Sequence, residues 1–169
     1  MKTKLVRLMK HLCFPPWRLR RALSLHELEA ITQAIRESEQ NHTGEIHFAV
    51  ENALNWRQLL GGTTARDRAI EVFSRLRVWD TEQNNGVLIY LLLADRAVEI
   101  VADREVNRRI KKSEWGKVCH TMAAAFQHQA FSEGIIAGVK AVGTHLALHF
   151  KGKDREGNEL RDQPTIIGD

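Results

Sequence analysis

The sequence predicts an α/β protein, a three-layer α/β/α sandwich around a small mixed β-sheet, and three observations carry that reading. Several segments repeat apolar residues at helical spacing behind capping signals. Residues 86–93 and 97–102, by contrast, are almost uninterruptedly apolar, as strands are when helices cover both faces of a sheet. The order helix, strand, helix, strand, strand, helix, helix then calls for a right-handed crossover that makes the first two strands parallel.

The elements follow in turn. Ser24 and Glu27 form a capping box, and Leu25, Leu28, Ile31, Ala34 and Ile35 recur behind it, predicting a helix over about 25–41. Asn41-His42-Thr43-Gly44 ends it, with Gly44 as a left-handed cap. Residues 45–51 alternate, Ile46, Phe48 and Val50 against Glu45, His47 and Glu51, predicting a strand with one buried face. A loop over 52–62 ends in Gly61-Gly62, and Thr63 or Thr64 caps a helix striped by Ala65, Ala69, Val72, Phe73 and Leu76. A second loop, 78–85, feeds a hairpin with Ala94-Asp95-Arg96 at its tip. Asp103 caps a short helix through Ile110, and Ser113 starts another with Trp115, Val118, Met122 and Phe126 inward. Ser132 caps the last, with Ile135, Val139, Val142 and Leu146 inward. From Lys151 the chain turns polar and is expected to drape over the surface or fray. The chain thus divides into an amino-terminal arm over 1–22, an α/β/α domain over 23–150 and a tail over 151–169.

At 169 residues the chain suits one domain that buries roughly 70% of its unfolded surface. Its 43% hydrophobic and 27% charged content is ordinary for a soluble globular protein. The net charge of +4 conceals an asymmetry. Lys2, Lys4, Arg7, Lys10, Arg18, Arg20 and Arg21 crowd the first 21 residues with no acid among them, leaving a mildly acidic body. Cys13 and Cys119 form no zinc or redox spacing, so a reducing, cytoplasmic setting is expected. Charges interrupt the apolar residues of the arm, which reads as retained and not as a signal peptide. No apolar run is long enough to span a membrane.

Connectivity sorts the polar loops onto two sheet edges. Gly61, Gly62, Thr63, Thr64, Asp95 and Arg96 fall at one, the top; Asp80, Asn84, Asn85 and Asp103 fall at the other, the bottom, with Glu82 and Glu105 nearby. Carboxylates beside amide oxygens are the hard donors that Ca²⁺ or Mg²⁺ prefers, so the bottom set is a candidate metal site. Turn chemistry and an N-cap also explain these residues. Gly61-Gly62-Thr63-Thr64 at a helix start could bind an anion, though it lacks a P-loop lysine. His145 and His149, four apart on the last helix, could grip a metal from one face. No nucleophile motif is visible.

Near an anionic lipid surface each basic residue of the arm contributes roughly 1 kcal/mol, so Lys2, Lys4, Arg7, Lys10, Arg18, Arg20 and Arg21 are candidate membrane contacts. The alternative is that Leu12, Phe14 and Trp17 tuck the arm onto the body while its charges stay solvated. The acidic body argues against nucleic acid as a partner.

Gly44-Glu45-Ile46-His47-Phe48-Ala49-Val50, Asn85-Gly86-Val87-Leu88-Ile89-Tyr90 and Val98-Glu99-Ile100-Val101-Ala102-Asp103 resemble the TPM domain family. Trp115, Met122-Ala123-Ala124-Ala125-Phe126, Phe131-Ser132-Glu133-Gly134-Ile135, His149-Phe150 and Asn158-Glu159-Leu160 extend the likeness over about residues 20–163, the last two towards a soluble bacterial subgroup. Founders of the family include a thylakoid-lumen protein described as an acid phosphatase, a photosystem-II repair factor and a nematode receptor auxiliary subunit. The resemblance implies an α/β/α sandwich and, in some members, divalent cations in loops at one sheet edge. The matching positions here are Asp80, Asn85 and Asp103. Arg104 and Glu105 replace glycines that often follow the last of them, and a glycine-rich or transmembrane carboxyl-terminal extension is absent. Two functions are expected from this: metal-assisted hydrolysis of phosphate monoesters, with a small phosphorylated molecule as ligand, or a non-catalytic module that assists assembly or repair of a protein complex, docked at the inner membrane face.

Overall fold

The computed structural model describes residues 2–152 and 159–168, with side chains from Leu5 onward. The side chains of Lys2 and Lys4 and the whole of Asn158 therefore lie outside the described residues. Four strands, β1 (Glu45–Glu51), β2 (Gly86–Leu92), β3 (Ala97–Ala102) and β4 (Thr165–Ile167), form one sheet in the order β3-β2-β1-β4. β1 is parallel to β2 and β4, and β3 returns antiparallel at the edge of the sheet. The register pairs Glu45 with Gly86 and Val87 with Ala102, so the hairpin base lies beside the start of β1.

Helices cover both faces, as the apolar strands require. On one, Ile46, Phe48, Val50, Val87, Ile89, Leu91 and Ile100 pack against α3 (Leu25–Glu39), α7 (Lys112–Gln127) and α8 (Phe131–His149). On the other, Ala49, Leu88, Tyr90 and Leu92 meet Ala69, Val72 and Phe73 of α5 (Ala65–Arg75). The alternation that assigns residues to faces is that of a strand, period two. Three layers result, with the thicker helical layer on the α8 side.

Local chemistry sets most boundaries. Ser24 Oγ accepts from Glu27 N and Glu27 Oε2 from Ser24 N, the capping box read from the sequence. Thr64, and not Thr63, caps α5 in the same way with Asp67. Asp103 caps α6 (Arg104–Arg109) through a 2.7 Å bond from Arg104 N. Close approach explains the small residues of α8: a Cβ at Gly138 would lie 2.3 Å from Met122 Sδ, and one at Gly143 1.8 Å from Ser38 Oγ.

Several expectations need correction. Ser132 does not cap α8; the helix starts two residues earlier, at Phe131 behind Ala130, and Ser132 is buried inside it. Gly44 is not left-handed; it is needed because a Cβ there would press on Leu146 at 3.0 Å. The 52–62 loop contains a helical turn, α4 (Trp56–Leu60), capped by Asn55 with Gln58. β1 is buried on both faces, not one. The tail does not simply drape: it returns as β4, held by His47, whose Nδ1 donates to the Arg161 carbonyl at 2.8 Å and whose Nε2 accepts from the Thr165 hydroxyl at 2.9 Å. That neutral ring is kept so by burial, which lowers its pKa.

The arm forms α1 (Lys2–Leu12) and α2 (Trp17–Ala22). Leu12 and Trp17 do not tuck inward, each being 56% exposed; Leu19 and Leu23 do. No helix among the described residues is long and apolar enough to cross a membrane.

Candidate functional site

The bottom rim is built by one close contact. β2 starts at Gly86, where a Cβ would sit 2.0 Å from the Val78 carbonyl oxygen, so only glycine lets the 78–85 loop close onto the strand. Within the loop, Asn85 N donates to Thr81 Oγ1 at 3.1 Å and Asn84 takes a left-handed backbone, φ 51°, which asparagine tolerates. Across the hairpin base Asp103 N donates to the Gly86 carbonyl at 2.9 Å, and Glu105 N to the Asn84 carbonyl at 3.2 Å. The structure thereby brings Asn84, Asn85 and Asp103 together.

Their side chains differ in what they have left to offer. Asn85 is buried, its Nδ2 donating to the Thr43 carbonyl. Asp103 is buried too, and its Oδ1 accepts from Arg104 N. Asn85 Oδ1 and Asp103 Oδ2 are buried acceptors with no hydrogen-bond partner among the described residues. A buried acceptor left unmade costs about 1–3 kcal/mol, so each of the two calls for an explanation. Asn84 Oδ1 is engaged, accepting from the Arg104 guanidinium at 2.7 Å. Asp80 shares the loop but not the cluster: its carboxylate is half exposed and pairs with Arg77 at 2.7 Å. Glu105 pairs with Arg108, and Glu82 offers only its N–H, to Glu159.

Hard cations take amide, carbonyl and carboxylate oxygens, and the two unpartnered oxygens belong to that donor class. Among the described residues no three His, Cys, Asp or Glu side chains converge on a point that could hold a metal. The rim's donor set is therefore one carboxylate and amide oxygens, not a carboxylate cage.

The other candidates fare differently. At the top edge Gly62 is left-handed, φ 77°, and opens onto space. Thr63 N donates to the Gln58 carbonyl, however, and the Asp67 carboxylate already accepts from Thr64 N. The helix start that could attract an anion carries the chain's own, held below the usual carboxylate range by the Thr64 hydroxyl and amide. Gly61 merely ends α4. His145 stands edge-on to Trp115, and the His149 carbonyl accepts from Arg109.

Two clusters escaped the sequence reading. Asp95, at the hairpin tip, binds the arm: it accepts from Arg7 Nε at 3.0 Å and from His11 Nε2 at 3.0 Å, while Arg7 Nη1 also donates to the Thr63 carbonyl. His11 is buried, and its Nδ1 accepts from Leu54 N, so Nε2 carries the proton. Glu51, at the end of β1, receives Arg68 through two bonds of 2.8 and 2.9 Å and the Tyr90 hydroxyl at 2.6 Å, all buried. The only hint in the sequence was an arginine on the apolar stripe of α5.

Comparison with known proteins agrees with this architecture. The model of the TPM domain matches residues 19–145. No curated protein matches. Among solved structures, the BA42 protein of the psychrophilic bacterium Bizionia argentinensis superposes with a TM-score of 0.75 at 29% identity, over 85% of this chain and 94% of that one. The N-terminal domain of a P. gingivalis protein shares the fold, with a TM-score of 0.61 at 20% identity, over 78% of this chain and 83% of that one. With three quarters of its length matched by the family model, this chain belongs to the TPM domain family.

Proposed function

We propose that the bottom rim is a divalent-cation site and that the protein acts there on phosphate monoesters. The observation that carries this reading is the pair of buried, unpartnered oxygens, Asn85 Oδ1 and Asp103 Oδ2, Asp103 being bonded across the hairpin base to Gly86, the residue after Asn85. Asp103 supplies the charge, Asn85 a neutral donor, and Ca²⁺ or Mg²⁺ is the matching ion. Such an ion, when bound, polarises a phosphoryl oxygen and lowers the pKa of a bound water. Arg104 beside Asn84 and Arg77 beside Asp80 place two guanidinium groups at the same edge, suited to phosphate oxygens. A second observation supports a non-catalytic binding module: both arginines are already tied, Arg77 to Asp80 and Arg104 to Asn84. On that reading the same rim docks a protein partner.

Phosphate release from para-nitrophenyl phosphate with Ca²⁺, Mg²⁺, Mn²⁺ or no metal separates them. Metal-dependent hydrolysis that drops by about 100-fold in Asp103→Ala is expected of the enzyme. Hydrolysis indifferent to both Asp103→Ala and Asp80→Ala discards the site, and none with any metal favours the module.

A further inference from the structure

The arm presents an amphipathic helix the wrong way round. Arg7 and His11 of α1 face the body, bound to Asp95, Thr63 and Leu54. The opposite side carries Leu5, Met9 and Leu12, at i, i+4 and i+7, exposed by 61%, 53% and 56%, with Val6 beside them. A helix that merely covered a core would put that stripe inward. Trp17, at the start of α2, is exposed as well.

Beside the stripe lies a cavity of about 610 Å³ between α2, the hairpin tip and the start of α8. Lys10, Arg18, Arg21 and Arg96 line it, with Phe14 and Phe131 as apolar walls and no carboxylate among its lining residues. Arg18, Arg21 and Arg96 make no ion pair among the described residues. The Arg18 guanidinium is stacked 5.0 Å from the centre of the Phe14 ring, which orients it without neutralising it. Arg96 and Gln129, both at this cavity, hold left-handed backbones with φ of 52° and 62°. The volume falls in the range of small-molecule sites, larger than a bare anion needs.

We infer that α1 and α2 dock on an anionic phospholipid surface, with Leu5, Met9 and Leu12 entering the acyl boundary and the basic cavity receiving a headgroup phosphate. The arm's charge selects this occupant over a second copy: with Arg18, Arg20 and Arg21 in no ion pair among the described residues and no acid in positions 1–21, two arms face to face would repel. An interfacial helix with basic and aromatic neighbours is the known physical form of such a contact. This inference stands apart from the cation rim, which lies at the other edge of the sheet.

Co-sedimentation of the full chain with phosphatidylglycerol–phosphatidylcholine vesicles tests it, against phosphatidylcholine alone and at low and high salt. Binding to the anionic vesicles only, weakened by salt, is expected. Each cation near such a surface is worth about fivefold, so Arg18→Gln with Arg21→Gln should weaken binding roughly 25-fold, while Arg18→Lys with Arg21→Lys retains it. Met9→Asp with Leu5→Asp, at exposed positions, should weaken it at least as far while the thermal midpoint stays unchanged. No sedimentation at low salt, or equal sedimentation of all variants, overturns the inference. So does saturable binding of soluble glycerol phosphate without vesicle binding, which would assign the cavity to a soluble ester. A lipid-free dimer that Met9→Asp dissociates would instead cover the stripe with a second copy.

Discussion

At the scale of single residues the unusual group is Glu39, near the end of α3. Burial, with Glu45 and Asp162 close by, pushes its carboxyl up to about 9, although Ile46 N donates to it at 2.8 Å. It is therefore protonated in the folded protein at neutral pH and ionised in the unfolded chain. Because the folded pKa lies above the ordinary value of 4.5, its stabilising proton is fully effective below that value and is lost as pH rises towards about 9. The slope approaches ~1.4 kcal/mol per pH unit within that window. Glu39→Gln keeps an oxygen for Ile46 and removes the titration. Thermal midpoints measured between pH 5 and 9 should therefore diverge, the variant gaining on the native protein as pH rises. Parallel curves would contradict the assignment. None of this was legible in the sequence, where nothing sets Glu39 apart from the other charged residues of α3 and nothing shows that Asp162 of the returning tail comes close to it.

Among elements, β1 shows how far periodicity reaches. The alternation of Ile46, Phe48 and Val50 correctly names the face turned to α3 and α8. It also suggests that Glu45, His47 and Glu51 look at water, and they do not. Arg68 of α5 and the returning tail cover them, and a strand pattern cannot see a cover supplied by a distant arginine or by β4. Removing Arg68 alone leaves a buried glutamate uncompensated, so Arg68→Met should cost about 3–5 kcal/mol in urea unfolding. Glu51→Gln combined with Arg68→Met removes both charges, leaves Tyr90 an acceptor, and should cost less than the single change. A double variant less stable than Arg68→Met would mean that the ion pair is not the source of the penalty. The loops were more legible than β1's outer face. Connectivity alone placed Asn84, Asn85 and Asp103 at one edge, because a crossover and a hairpin leave no other choice. It could not foresee that Asp80 would turn to Arg77, since that pairing is a local side-chain preference.

The molecule as a whole has two poles set by strand direction. β1 and β2 run from the rim of Asn85 and Asp103 towards the end that holds Asp95 and the arm, and strands of this length separate the two by about 20 Å. Substitutions at one pole should therefore leave the other undisturbed, which makes the proposed cation site and the proposed membrane face separable by experiment. The arm's anchoring on Asp95 was not legible, because nothing in a run of basic residues says which of them meets a carboxylate at a hairpin tip. The fold class, by contrast, followed from two apolar strands and their place in the element order, features that only a helix-covered sheet satisfies.

The proposed cation site can be tested without any assumption about catalysis, by titrating the native protein and Asp103→Asn with Ca²⁺ and Mg²⁺ while following the thermal midpoint. Asparagine retains the cap on α6 and removes only the charge. An ion at a hundredfold excess over its dissociation constant adds about 2.7 kcal/mol, so the native midpoint should rise by about 5–10 °C and the variant's should stay nearly still. A native midpoint unmoved by either ion, or an equal rise in both proteins, would contradict a cation held by Asp103 and Asn85.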